Sequence, residues 1–354
     1  MKILYVSQLE TFDSAFYRVL ALRREGHEVS TINTLDYGQR NALLRKVEFR
    51  LAAGPEVARL NQDIISAAQA QRFDVLWADK LLWMLPSTLE ALRSMRVVTV
   101  SYMIDNFFGP RRDPGWRLYA KTIPIYDLHC TQRDRNVQEY LQAGARDVIK
   151  IQTAYEPTVH FPPPAGWSDT SRDRDISFVG TPYDQRADFL TKLWKEDHLS
   201  VEVNGGTVWK RALGREAAAA IYRGSGELRN EAYREAIWRS RINLSFLTHS
   251  NHDEFTHKSF EIAACRGFLL AERSAGHTSR FVEGEEAVFF SDYDECVGKI
   301  RQYLPDPEER ERIAKNGQWR AAMSGYDNDS QVRRIVDRLR VLVQAVRSQQ
   351  AVAP

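Results

Sequence analysis

The chain has 354 residues, too many for one ordinary hydrophobic core and enough for two domains. With 43% hydrophobic and 27% charged residues it is not a disordered protein, and a formal net charge of +2 without a basic stripe excludes a dedicated nucleic-acid binder. Cys130, Cys265 and Cys296 are too scattered for a zinc site or a disulfide framework, and no run approaches the roughly 20 apolar residues of a membrane helix. A reducing cytoplasm is therefore the expected setting. Peripheral contact between an anionic membrane and basic pairs such as Arg23-Arg24, Arg111-Arg112 and Arg333-Arg334 stays open.

The opening MKILYVSQL is too short for a signal peptide and reads as a first strand over Lys2–Ser7. Ser14–Glu25 has helical spacing and stops at Gly26, and His27–Asn33 reads as the next strand. The segment 40–72 is mostly helical. Phe73–Ala78 is a strand, Leu85–Ser94 a helix, and RVVTVSYMI (Arg96–Ile104) the most strand-like run in the chain, ending at Asp105-Asn106. Ile125–Thr131, Arg133–Ala143 and Asp147–Gln152 continue the alternation. Such alternation predicts a parallel sheet covered by helices.

Glu156–Asp175 breaks the pattern with Pro157, Pro162-Pro163-Pro164 and Gly166, and reads as a linker. The alternation then restarts: strands at Asp175–Gly180, Leu199–Asn204, Arg241–Leu247, Gly267–Glu272 and Glu286–Phe290, and helices at Gln185–Glu196, Glu231–Ser240, Lys258–Ala264, Tyr293–Leu304 and Pro307–Met323. A last helix, Ser330–Val346, follows the second set, before a frayed tail over Gln349–Pro354. The expected domains are 1–160, 161–326, and a C-terminal helix and tail over 327–354 that crosses back to the first.

In doubly wound sheets, ligands sit at the carboxyl ends of strands. The most informative such end is HDEFTHKSFEIAACRGFLLAE, His252–Glu272, which follows the strand SRINLSFL. Backbone N–H groups at the start of a helix near Lys258-Ser259 make an anion site suited to a diphosphate. Glu261, one turn in, can accept from two adjacent hydroxyls of a ribose; as a plain surface helix, it would only stabilise the helix dipole. Asp253 lies eight residues before Glu261, with Glu254 beside it.

The run KSFEIAACRGFLLAE, with FVEGEEAVFFSDYDECVGKIRQYL and PEERERIAKNGQWR after it, resembles the C-terminal half of spore-maturation-protein-like glycosyltransferases, which are similar to the retaining family four of the GT-B fold. The resemblance spans Asp175–Tyr326 and is specific over Lys258–Leu304; MKILYVSQ and ALRREGHEV are common to many GT-B enzymes. It implies two Rossmann-like α/β domains facing across a cleft. It implies a donor that is a nucleoside-diphosphate sugar, UDP- or GDP-linked, with no other cofactor and no metal. The family's acidic–x7–Glu motif falls on Asp253 and Glu261, then Ala264 and Gly267; Glu261 would bind the donor ribose, and Asp253 or Glu254 would lie near the sugar. In ISFVGTPYDQR, Gly180 ends a strand and Arg186 falls on the diphosphate, while Thr181 stands where the family has an Arg and Lys258 compensates. Gly205, Gly206 and Lys210 form a second donor loop, Gly224 and Gly226 border the base, and His257 and Ser259 accompany Lys258 at the phosphates. Asp105, beside Asn106, is placed to face a reacting sugar; Asp13, Ser14 and Arg18 stand in a first loop without the family's glycines.

Asp292-Tyr293-Asp294 has the DxD spacing of metal-dependent transferases, but it precedes an amphipathic helix and reads as an N-cap. Asp173-Arg174-Asp175 lies in the linker. His249, His252 and His257 lack a fourth zinc donor. No GxGxxG, GxxxxGK[ST] or GxSxG is present. The expected activity is transfer of a sugar to an acceptor that is a glycan, a protein or a small molecule. The rivals are another nucleotide-sugar enzyme of the same fold, such as an epimerase, and a noncatalytic nucleotide-binding relative.

Overall fold

A computed structural model describes residues 1–39, 41–109, 114–224 and 226–352, with side chains through 348 in the last helix. Arg111-Arg112 and Ala353-Pro354 lie outside the described residues, and the rest of the expected frayed tail, Gln349–Val352, continues the last helix. The chain divides into two compact units: unit 1 is Met1–Thr153 with Asn328–Pro354, and unit 2 is Ala154–Asp327.

Unit 1 runs β1 (Lys2–Ser7), α1 (Ser14–Arg24), β2 (Glu28–Asn33), α2 (Ala42–Leu51), α3 (Pro55–Ala70), β3 (Val75–Asp79), α4 (Pro86–Ser94), β4 (Val98–Tyr102), α5 (Trp116–Thr122), β5 (Leu128–Thr131), α6 (Asp134–Gln142) and β6 (Val148–Lys150). All pairings are parallel, in the order β2-β1-β3-β4-β5-β6. Every residue of β3, β4 and β5 is buried, as a sheet covered on both faces requires. Trp77 sits at the middle of this core, with ring centroids 5.7 Å from Tyr5 and 6.0 Å from Tyr102.

Unit 2 runs β7 (Arg174–Val179), α7 (Arg186–Lys195), β8 (Val201–Asn204), α8 (Val208–Ile221), α9 (Asn230–Trp238), β9 (Ser240–Ser245), α10 (His257–Ala264), β10 (Leu269–Glu272), α11 (Ala275–Thr278), β11 (Val288–Phe290), α12 (Tyr293–Tyr303) and α13 (Pro307–Met323). Its sheet is also parallel, in the order β11-β10-β9-β7-β8. The last helix, α14 (Asn328–Val352), returns to unit 1. Its Val332, Ile335, Val336, Leu339 and Val343, spaced on one helical face, join the core of Val19, Leu22 and Trp77.

Three expectations need correction. The proline-rich stretch 156–175 is part of unit 2 and not a connector. Its aromatic residues hold it down: Phe161 and Trp167 pack on Trp238 at centroid distances of 5.7 and 5.8 Å, and the Trp167 indole donates to the Trp238 carbonyl. β4 stops at Tyr102, so Asp105 lies in the following loop and not at the strand's end. Lys210, expected in a loop, is an exposed residue of α8. The glycines at 205, 206 and 214 disguise that helix, which departs from helical geometry at Gly214 and continues beyond it.

Each sheet has one place where the chain reverses its direction of winding. In unit 1 it lies between β1 and β3, and in unit 2 between β7 and β9. The crevice at the carboxyl ends of such strands is the physically favoured ligand position.

Candidate functional site

At the unit 2 reversal, Gly180 follows the end of β7 and β9 leads through residues 246–256 into α10. Hydroxyl contacts fasten α10 to the sheet: Ser259 Oγ lies 3.2 Å from Ser245 Oγ and donates to His277 Nε2 at 2.7 Å, while His277 Nδ1 donates to the Glu272 carbonyl at 2.7 Å. Ser259, expected at the donor, is fully buried and holds the helix in place. Thr256 makes no side-chain cap, so the first turn of α10 presents its N–H groups as an anion site.

Glu261 and Lys258 lie on the face of α10 that meets α9. Tyr233 of α9 donates its hydroxyl to Glu261 Oε2 at 2.9 Å, and the Lys258 ammonium lies 4.7 Å above the Tyr233 ring. His160 meets the same ring edge-on at 5.8 Å. Its Nδ1 accepts the Glu156 N–H at 3.1 Å, which leaves the proton of the neutral ring on Nε2. Arg234 pins the segment that carries His160 by donating to the Val159 carbonyl at 2.9 Å and stacking on Phe161 at 4.1 Å. Tyr233, His160 and Arg234 were not anticipated. They lie far from Glu261 in sequence, and only tertiary packing brings them together.

The electrostatics fix the charge states. Burial pushes the Glu261 carboxyl up, but His160, Lys258, His257 and the Tyr233 hydroxyl hold it below its ordinary value, so it is ionised at neutral pH. Burial pulls the Lys258 ammonium down, opposed by Glu261 and Glu227 and reinforced by Arg186.

The loops beside Lys258 are built from glycine because backbone meets backbone there. A Cβ on Gly180 would lie 2.8 Å from the Phe178 ring and 3.3 Å from Lys258 Cε. One on Gly205 would lie 2.1 Å from the Gly180 carbonyl, and one on Gly224 2.8 Å from the Gly205 carbonyl. Trp209 Nε1 donates to the Gly180 carbonyl at 2.7 Å, and the Tyr222 hydroxyl donates to that of Gly205 at 3.0 Å. The ends of β7 and β8 thus form one fixed shelf next to a lysine and a helix start.

Arg186 is buried, and its guanidinium clasps backbone. Nη1 donates to the Thr181 carbonyl at 3.1 Å, and Nη2 to the Leu247 carbonyl at 2.9 Å and Thr248 Oγ1 at 3.0 Å. The loop after β9 is held further by Glu272, which accepts the Leu247 N–H at 2.9 Å and pairs with His249 at 2.5 Å. Asp253 is half-buried and accepts from Asn251 Nδ2 at 2.8 Å; Glu254 is exposed, with its carbonyl accepting from Ser274. Asp292 caps α12 by accepting the Glu295 N–H at 2.9 Å. Among the described residues, no three His, Cys, Asp or Glu side chains are arranged to hold a metal.

Residues 176–337 match the family described as glycosyl transferase-like. The solved sucrose-phosphate synthase of Thermosynechococcus elongatus aligns with 98% of this chain and 100% of its own, at 13% identity and a TM-score of 0.70. HepE of Anabaena, solved in complex with UDP-glucose, aligns over 100% of both chains at 13% identity and a TM-score of 0.65. A glycosyltransferase from Rickettsia africae aligns over 97% of this chain and 98% of its own, at 10% identity and 0.67. No curated protein matches the sequence. The chain has the GT-B fold.

In this GT-B chain, the glycosyl transferase-like segment contains Gly180, Arg186, Gly205, Lys210, Asp253, Glu254, His257, Lys258, Ser259 and Glu261. Asp105 belongs to unit 1, where its carboxylate lies 3.5 Å from the Lys80 ammonium. Arg18 is withdrawn from any ligand role. It is buried, with Nη2 2.6 Å and Nε 2.7 Å from Asp79 Oδ2, and its guanidinium stacks 4.2 Å from the Tyr102 ring.

Proposed function

We propose that the chain is a glycosyltransferase that takes a sugar from a nucleoside-diphosphate sugar, with UDP favoured over GDP. The observation that carries this reading is an ionised carboxylate, Glu261, one turn behind Lys258 and an uncapped helix start, at the winding reversal of a parallel sheet. A carboxylate suits the two hydroxyls of a ribose, and the lysine and first-turn N–H groups suit a diphosphate one turn away. The complex of HepE with UDP-glucose supports UDP as the first donor to test.

In the proposed reaction, the bond from the anomeric carbon to the diphosphate oxygen breaks and a bond to an acceptor oxygen forms. The acceptor's proton passes to the leaving phosphate. Lys258 and the α10 start stabilise the charge that grows on the leaving group, a role that needs no metal ion. Asp253 or Glu254 sits near the sugar, and Asp105 of unit 1 orients an acceptor hydroxyl. Arg186 acts as a positioning residue that holds the loop between β9 and α10. The resemblance to retaining spore-maturation-protein-like and family-four transferases supports retention of configuration. Three separate buried thiols suit a reducing cytoplasm.

Calorimetric titration with UDP and GDP tests the binding site, and turnover of UDP-glucose in EDTA tests the reaction. Tight UDP binding and EDTA-insensitive turnover are expected. An absence of binding by either nucleotide defeats the reading.

A further inference from the structure

Helix α2 of unit 1 is built inside out. Its acidic residue, Glu48, is 4% exposed, and its carboxylate accepts the N–H groups of Glu56 and Val57 at 2.7 and 3.1 Å, capping α3. Gly54 makes room for it, since a Cβ there would lie 2.5 Å from Glu48 Oε1. Leu43, Leu44, Val47 and Leu51 form an exposed arc beside Glu48, and Phe49 lies on the opposite side of the helix: Leu43 is 70% exposed, Leu51 67%, and Leu44, Val47 and Phe49 about half. Of fourteen large apolar side chains exposed among the described residues, five fall on these ten positions, so the patch is concentrated and not scattered. Arg45, Lys46 and Arg50 are also exposed, so every exposed charge on the helix is positive. Behind the helix lies a cavity of about 470 Å³ whose walls include Arg45, Lys46, Phe49, Tyr37, Lys80 and Trp83. Lys80 is the neighbour of Asp105.

We propose that α2 seats unit 1 on an anionic lipid surface. The leucines enter the acyl boundary, and Arg45, Lys46 and Arg50 meet the phosphates. The chemistry matches an interfacial helix, in which apolar burial and basic charge act together. Charge also selects lipid over a second copy of this chain, because pairing α2 with itself would set three cations against three. The cavity carries the inference one step further and rests there on the transferase reading: its acceptor is an anionic amphiphile delivered from that surface.

The test is flotation of the full-length chain with vesicles of phosphatidylcholine, alone or mixed with phosphatidylglycerol. Flotation with the mixed vesicles only is expected. Arg45→Gln with Lys46→Gln should lower partitioning about thirtyfold, at roughly fivefold per charge, and Leu43→Ser with Leu44→Ser should abolish it. Unchanged UDP affinity and melting temperature establish that each variant is folded. The proposal is overturned if the wild type does not float, if it floats equally with phosphatidylcholine alone, or if the serine variant floats like the wild type. It is also overturned if light scattering finds a dimer that the serine variant splits. Lost flotation with intact UDP binding defeats the docking alone, and intact flotation without UDP binding defeats the transferase reading alone.

Discussion

Replacing Glu261 by Gln tests the ribose assignment with the least disturbance. The amide is isosteric and its carbonyl still accepts from Tyr233, whose hydroxyl lies 2.9 Å from the carboxylate in the native chain. What is lost is charge and one acceptor. A hydrogen bond to an ionised group contributes about 1.5–3 kcal/mol, against roughly 0.5–1.5 for a neutral one. Turning two charged bonds into at most one neutral bond therefore costs about 2–3 kcal/mol, or roughly 30- to 150-fold in the UDP dissociation constant. Loss of the carboxylate also removes a charge that favours the buried Lys258 ammonium, so part of the loss with UDP reports the phosphate side. Calorimetry with UDP and 2′,3′-dideoxy-UDP separates the two contributions. The native chain should discriminate strongly between them, and Glu261→Gln should discriminate little. Equal discrimination in both proteins would refute the diol assignment, whatever the loss of overall affinity.

Acid should loosen both units through their buried histidines, most of all His129 in unit 1 and His277 in unit 2. Burial holds His129 and His277 at about 4, below the ordinary 6.5. The unfolded chain takes up protons first, so stability is complete above pH 6.5 and falls as the pH drops toward 4. Urea midpoints should lose about 2 kcal/mol per histidine by pH 5, and His129→Gln should flatten the dependence in unit 1. Breaking the buried pair by Arg18→Met should cost about 3–5 kcal/mol in unit 1 and leave UDP affinity in unit 2 unchanged; a change in affinity would contradict the withdrawal of Arg18 from the ligand. Gly205→Ala, whose Cβ would lie 2.1 Å from the Gly180 carbonyl, should lower stability by about 1–3 kcal/mol and weaken UDP binding. Gly206→Ala, with its nearest contacts at 4.0 Å, should do neither.

The alternation of strands and helices was legible because strands covered on both faces are mostly apolar, as VLWAD and VTVSY are apart from Asp79, Thr99 and Ser101. The closeness of Glu261 to Lys258 was legible for a local reason: they lie three residues apart in the helix that follows the buried strand β9. Tyr233 and His160 were not, because α9 and the segment before β7 reach Glu261 only through packing. The prolines between 157 and 164 suggested a free connector, and only the rings of Phe161, Trp167 and Trp238 turn that stretch into part of a core. The spacing that places Arg186 after Gly180 was visible, but the carbonyls around it were not. A guanidinium that clasps Thr181 and Leu247 is a structural fastener, whatever its distance in sequence from a phosphate loop.

The two sheets share a winding plan, and their chemistry at the reversal differs. In unit 1 the reversal between β1 and β3 is closed by its own charges. Arg18 and Asp79 pair there in full burial, joined by the Tyr5 hydroxyl. In unit 2 the reversal between β7 and β9 has glycines where side chains would block approach, and its cation lies over the ring of the tyrosine whose hydroxyl donates to its carboxylate. Arg18 is committed to Asp79, whereas on the proposed reading Glu261 and Lys258, both in contact with Tyr233, serve a diol and a phosphate. On the proposed reading, this difference favours unit 2 for the donor and leaves Lys80, Asp105 and helix α2 of unit 1 as the acceptor groups to test.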